Sequence, residues 1–160
     1  MNSWLTISLR ACLFLLVTTS FAQPLVNKGK IDLREWDFNQ KSVRLDGQWG
    51  FYWEQLLTPG QTPKHPSRFF EFPKIWDEGQ GFATYTADVL VAPDINTLSM
   101  ELPDFYCSYQ IWVNGMEVAS NGEVGTSRKE TVAQWLPKTV VFPASDTLHL
   151  VMQISNFHHI

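Results

Sequence analysis

Tyr109-Gln110-Ile111-Trp112-Val113-Asn114-Gly115-Met116-Glu117-Val118-Ala119 decides the fold class of this chain. Tyr109, Ile111 and Val113 alternate with Gln110 and Trp112, and Met116 to Ala119 alternates again beyond Asn114-Gly115. A two-residue period puts successive side chains on opposite faces of a strand. Asn-Gly supplies two residues that tolerate positive φ, which a type I′ turn needs and whose twist matches the flanking strands. The stretch reads as a β-hairpin. That structural role accounts for Asn114 fully.

The same period recurs on either side. Leu148, Leu150, Met152 and Ile154 alternate with His149, Val151, Gln153 and Ser155, and Tyr85, Ala87, Val89 and Val91 alternate with Thr84, Thr86, Asp88 and Leu90. Leu98–Leu102 ends at Pro103, Lys138–Phe142 at Pro143 and Phe69–Phe72 at Pro73. Trp49-Gly50-Phe51-Tyr52-Trp53 reads as an aromatic-rich strand or strand pair, running into a short helical turn that Pro59-Gly60 ends. Strands separated by Pro, Gly and Asp clusters, with helical periodicity nearly absent, define an all-β antiparallel β-sandwich. The longest irregular stretches are Thr58–Arg68 and Ser120–Pro137, and loops of that length in a compact domain are usually functional or disordered.

Residues 1–22 stand apart. Arg10 precedes the apolar run Ala11–Val17, and Thr18-Thr19-Ser20-Phe21-Ala22 offers the small residues of a signal-peptidase site. The run is much shorter than the roughly 20 residues that span a bilayer. A signal peptide cleaved after Ala22 is expected, with a retained anchor as the alternative. Cys12 starts the apolar run instead of following it, which disfavours a lipoprotein signal. Residues 23–160, about 138 in number, suit one domain. Cleavage leaves Cys107 without a disulfide partner, and its neighbours Tyr106, Ser108 and Tyr109 offer no base or cation to activate a thiol.

The formal charge of −4 and twelve scattered Lys and Arg residues give no concentrated basic face, so a nucleic-acid partner is not expected. Catalytic signatures are equally thin. Asp77-Glu78 are neighbours that a strand would point to opposite faces, and they read better as a solvated turn before Gly79. His158-His159 lacks accompanying ligands at metal-site spacing. No Gly-x-Ser-x-Gly occurs. Neither an enzyme nor a cofactor is expected from this chain, whose catalytic and metal sites are read as none. Aromatic rings outside the core remain as binding candidates, since flat rings take the apolar faces of sugars while amide and Arg groups bond the hydroxyls. Trp76, Trp112 and Trp135 are such rings, with core packing as the alternative for each.

Four ordered segments carry a family resemblance. They are Leu45-Asp46-Gly47-Gln48-Trp49-Gly50-Phe51-Tyr52-Trp53-Glu54-Gln55-Leu56-Leu57-Thr58-Pro59; Phe72-Pro73-Lys74-Ile75-Trp76 with Gly79–Tyr85; Ile111–Gly115 with Gly122-Glu123-Val124-Gly125; and Gln153-Ile154-Ser155-Asn156-Phe157. Over Leu45 to Ile160 the chain resembles the extracytoplasmic domain of bacterial seven-transmembrane receptors with diverse intracellular signalling modules. The resemblance implies a galactose-binding-like jelly roll with at least one strand beyond Ile160, then membrane helices and a cytoplasmic signalling module. The Leu45-Asp46-Gly47-x-Trp49 opening and Val113-Asn114-Gly115 are also similar to the sugar-binding jelly roll of β-galactosidase and β-glucuronidase enzymes. The expected role is a ligand-sensing, carbohydrate-binding input domain held in the periplasm and tethered to the inner membrane. The alternative is the non-catalytic sugar-binding domain of a glycosidase. Trp76 and Trp135 are the expected ring platforms, with Arg128 and Asn156 as hydroxyl-bonding groups.

Overall fold

The computed structural model describes residues 23–66, 68–103 and 106–157. The signal peptide expected over 1–22 and the His158-His159 pair lie outside the described residues. Nine strands form: β1 (Lys30–Leu33), β2 (Gly47–Trp53), β3 (Arg68–Phe72), β4 (Gly81–Val91), β5 (Thr97–Leu102), β6 (Ser108–Val113), β7 (Met116–Asn121), β8 (Lys138–Pro143) and β9 (Thr147–Asn156). The described residues contain no helix. The chain is all-β, and every strand read from periodicity is present, most of them a residue or more longer than their patterns.

The major sheet has seven strands, ordered β3-β2-β4-β9-β6-β7 with β1 also on β4, and β5 pairs β8 in a minor sheet. β4 and β9 form the spine, antiparallel from Gly81↔Asn156 to Leu90↔Thr147. β2 takes the first half of β4's other edge and β1 the second half, from Lys30↔Asp88 to Leu33↔Val91. That second pairing is parallel, a departure from the all-antiparallel expectation. The chain crosses from β1 to β2 through residues 34–46, long enough to reverse direction without a hairpin.

The hairpin forms where expected. Asn114 and Gly115 adopt φ of 50° and 82°, both left-handed, and a bulge between Ile111 and Trp112 shifts the pairing of β6 with β7. The short helical turn expected after Trp53 is absent. Glu54 turns to φ 53° and the chain then folds back over the sheet, with the Leu57 N–H donating to Thr84 Oγ1 at 2.9 Å. Bonding to a neighbouring strand replaces the bonds a helical turn would make within itself.

The core lies between the sheets. Trp49, Phe51, Phe70 and Tyr85 project inward from β2, β3 and β4 and meet Leu102 and Phe142 from the minor sheet within one apolar cluster. Phe51 stacks on Phe70 at 4.9 Å between centroids and meets Tyr85 edge-on at 4.9 Å. Each such ring contributes roughly 1.5–3 kcal/mol by burial, and well-placed pairs add about 0.5–1.5 kcal/mol. Arg68 covers the cluster with its guanidinium 4.6 Å from the Phe51 ring centre and paired to Glu78 at 2.7 Å. Cys107 is buried, as its apolar surroundings predict. No helix among the described residues is long and apolar enough to cross a membrane.

Candidate functional site

The outer face of a two-sheet sandwich normally meets water, and here one end of it does not, although the Asp88 and His149 side chains further along β4 and β9 are exposed. Strand alternation turns Tyr52, Thr84, Gln153 and Gln110 to that face, and they stand side by side across β2, β4, β9 and β6. Thr84, Ser108 and Ser155 are fully buried, and Gln153 is 6% exposed. Most of a row of polar residues in the middle of a sheet is thus shut off from bulk solvent, with Gln110 partly exposed at its end.

Two long loops close it. Over β2 and β4, residues 54–66 are held by the Thr84 hydroxyl, which donates to the Gln55 carbonyl at 2.7 Å, and by the Tyr52 hydroxyl, which donates to the Pro63 carbonyl at 3.2 Å. Burial raises the Tyr52 pKa above the ordinary phenol value, so the hydroxyl stays a donor at neutral pH. Over β6 and β9, residues 122–137 are held by Ser155, whose Oγ accepts from the Gly125 N–H at 3.2 Å and donates to the Gly125 carbonyl at 2.7 Å. Ser108 braces this contact by donating to the Ser155 carbonyl at 3.2 Å.

The second loop is rigid by its own chemistry. Glu130 accepts from the Thr126 N–H at 3.1 Å and from its hydroxyl at 2.8 Å, and these bonds hold the carboxyl below its ordinary pKa. Glu123 and Val132 bridge antiparallel, closing the loop's neck. Gly122 sits at φ 69°, where a Cβ would collide with the Val132 carbonyl oxygen, so only glycine fits. Beyond the neck, Asn121 Nδ2 donates to the Gln134 carbonyl at 2.7 Å. The expectation that part of this loop is pinned to the sandwich holds.

Of the four residues named from sequence, Arg128 and Trp135 lie on the second loop, Asn156 follows Ser155, which anchors that loop, and Trp76 lies in the turn between β3 and β4. Arg128 is exposed at the tip of the second loop. Trp135 follows the Gln134 anchor and is 51% exposed, beside the exposed Leu136. Asn156 is half-buried on β9, opposite Gly81. Trp76 is corrected by the structure: it is 8% exposed, lies 5.1 Å from Trp53 edge to face, and donates its indole N–H to the Tyr85 hydroxyl at 2.6 Å. It is core, and presents no ring face to a ligand. Trp112, the third ring considered, is also 8% exposed, but on the outer face with Gln110.

A separate cavity of about 1050 Å³ lies between the sheets. Leu98, Met100, Phe142, Leu150 and Met152 line its floor, and Lys41, Arg44, Asp46 and Glu101 stand at its margin. The margin is already paired in part, with Arg44 Nε 2.9 Å from Asp46. The cavity continues the core, because two strands cover a seven-stranded face incompletely. Among the described residues no group of three or more His, Cys, Asp or Glu side chains could hold a metal ion.

No family model and no curated protein matches the chain. Solved structures include similar chains, one being a β-glucuronidase of Faecalibacterium prausnitzii, with TM-score 0.48 and 14% identity over 71% of this chain. The match spans 20% of that enzyme's length. Glucuronidase activity belongs to that enzyme, and a likeness of this size transfers none of it.

Proposed function

We propose that this chain is the ligand-sensing, carbohydrate-binding input domain of a bacterial membrane signalling receptor, exported and acting without covalent chemistry. The observation that carries the reading is the polar outer face enclosed under two loops. Sandwiches do not bury polar rows for stability, since every such group must first be stripped of water. A walled polar strip with apolar rings beside it suits a neutral, hydroxyl-rich ligand. The ordered segments from Leu45 to Phe157 support the receptor context. A ligand gripping loops and sheet together would favour one arrangement of domain and membrane helices over another, and the signal would scale with the difference in affinity.

A glycan array probed with the purified full chain tests the binding. Retention of a glycan, weakened by Arg128→Ala, is expected. A chain that retains no glycan defeats the carbohydrate reading. The reading frame beyond Ile160 tests the context: seven apolar stretches of about 20 residues are expected. A long βα-repeat there would assign the domain to a glycosidase instead.

A further inference from the structure

Six polar residues are buried among the described residues: Thr84, Ser108, Asn121, Thr131, Gln153 and Ser155. Five are bonded through their side chains. Thr84 donates to Gln55, Ser108 to the Ser155 carbonyl, Asn121 to Gln134, Thr131 to Ser127 and Ser155 to Gly125. Gln153 is the sixth. Its amide has no hydrogen-bond partner among the described residues, and its atoms are not among those sealed from solvent. With no partner among the described residues and with its polar atoms still open to solvent, that amide is left to bond water or a ligand.

The surroundings say what would replace it. Thr84 on one side is capped by the first loop, and Gln110 on the other side has its NH₂ donated to Glu117 at 2.7 Å, which leaves its carbonyl free to accept. Trp112 lies diagonally from Gln153 on the same face, within side-chain reach, and its indole N–H has no partner among the described residues. The second loop stands over Ser155, two residues further along β9. Gln153 therefore lies between the two stretches of this face that the loops cover at Thr84 and Ser155, and around it stand an amide acceptor, an amide donor, an indole donor and a second acceptor. None of these four groups carries a charge.

We infer that the strip between the two loops is a slot that binds one sugar residue edge-on, with two adjacent hydroxyls bonded to the Gln153 amide and the ring edge against Trp112. Adjacent hydroxyls each donate and accept, and so match a carboxamide's paired acceptor and donors. Edge-on entry follows from exposures below a tenth at both Gln153 and Trp112. The inference rests on the carbohydrate reading and names its anchoring residue, which the sequence marked only as part of a resemblance segment and not as a binding group.

The test titrates the full chain with D-glucose, D-galactose, D-mannose and N-acetyl-D-glucosamine, by calorimetry and by ¹H–¹⁵N spectra of the side-chain amides. The Gln153 NH₂ signals, assigned by their loss in Gln153→Met, are expected to shift with one of these sugars. Gln153→Met is expected to weaken that sugar roughly tenfold or more while its denaturation midpoint holds or rises. A sugar bound with the Gln153 signals unmoved, and bound equally by Gln153→Met, overturns the slot and leaves saccharide binding elsewhere intact. If Gln153→Met does not fold, the Gln153 NH₂ signals are assigned in the wild-type chain by through-bond correlation to the Gln153 backbone, and shifted signals then support the slot while unmoved ones overturn it. No binding of any of the four sugars overturns the slot, and a glycan retained on the array would still leave the carbohydrate reading standing.

Discussion

The Trp76 indole N–H donates to the Tyr85 hydroxyl at 2.6 Å, so the turn that follows Pro73 is bolted to the middle of β4. Burial pushes the Tyr85 hydroxyl far above the ordinary phenol pKa, and the bond from Trp76 only partly offsets that. Trp76→Ala is expected to cost about 3–5 kcal/mol, the range for removing a large buried ring. Trp76→Phe keeps much of the ring but strands the Tyr85 hydroxyl, at about 1–3 kcal/mol. Urea denaturation of both variants checks this, and an unchanged midpoint for Trp76→Ala would return Trp76 to the surface.

Trp135 gives the opposite expectation. Half-exposed on a loop, it should tolerate Trp135→Ala within about 0.5 kcal/mol. If it is the remaining ring platform of the proposed site, glycan binding falls in that variant while the midpoint holds. Retained binding would confine the site to the slot and Arg128.

Gly115 has φ 82° and open space where a side chain would project, so strain there comes from the backbone alone. Gly115→Val is expected to cost roughly 1–3 kcal/mol. Gly115→Asn should cost less, because Asn tolerates the left-handed region. Equal midpoints for the two variants would refute the turn assignment.

Glu130 makes the second loop sensitive to acid. Its folded pKa lies below its ordinary value, with the Thr126 hydroxyl bond as the first cause, so its stabilising bonds are fully present above the unfolded pKa. They are lost as pH falls through the folded value. Amide exchange over residues 122–134 is expected to lose protection in that acid range, relative to the rest of the sheet. Glu130→Gln should lower protection at neutral pH and flatten the acid dependence, and an unaltered profile would show that another group closes the loop.

The cavity between the sheets predicts a gain. Leu98 is half-buried on β5 and faces it, so Leu98→Phe is expected to stabilise by about 0.5–2 kcal/mol through added contact. Thermal unfolding checks the sign, and a fall in midpoint would mean the space is not free to fill.

The strands were legible because a half-buried strand writes its period into consecutive residues. β9, β4 and the hairpin needed no distant information. β1 was not legible, since Lys30-Ile31-Asp32-Leu33 is four residues long and owes its place to the far half of β4. Trp76 read as a surface ring because it stands between strands, and its partner Tyr85 became visible only once the turn folded inward. The slot had no local signal at all. Gln153 looked like the polar half of an alternating strand, and its isolation depends on Thr84, Gln110 and two loops that meet it from far along the chain.

The spine also governs how the domain can form. Partners such as Tyr85 and Met152 are far apart in sequence, so the β4·β9 ladder closes a longer loop than the pairing of β2 with β4 or of β6 with β9. The β6–β7 hairpin can flicker on its own in about 1–10 μs, yet it joins the sheet only through β9. Topologies dominated by such distant pairings fold slowly, within about milliseconds to seconds. A nascent chain could therefore pair β2 with β3 and β4 early, but the two halves of the major sheet would join only once residues near Met152 had emerged.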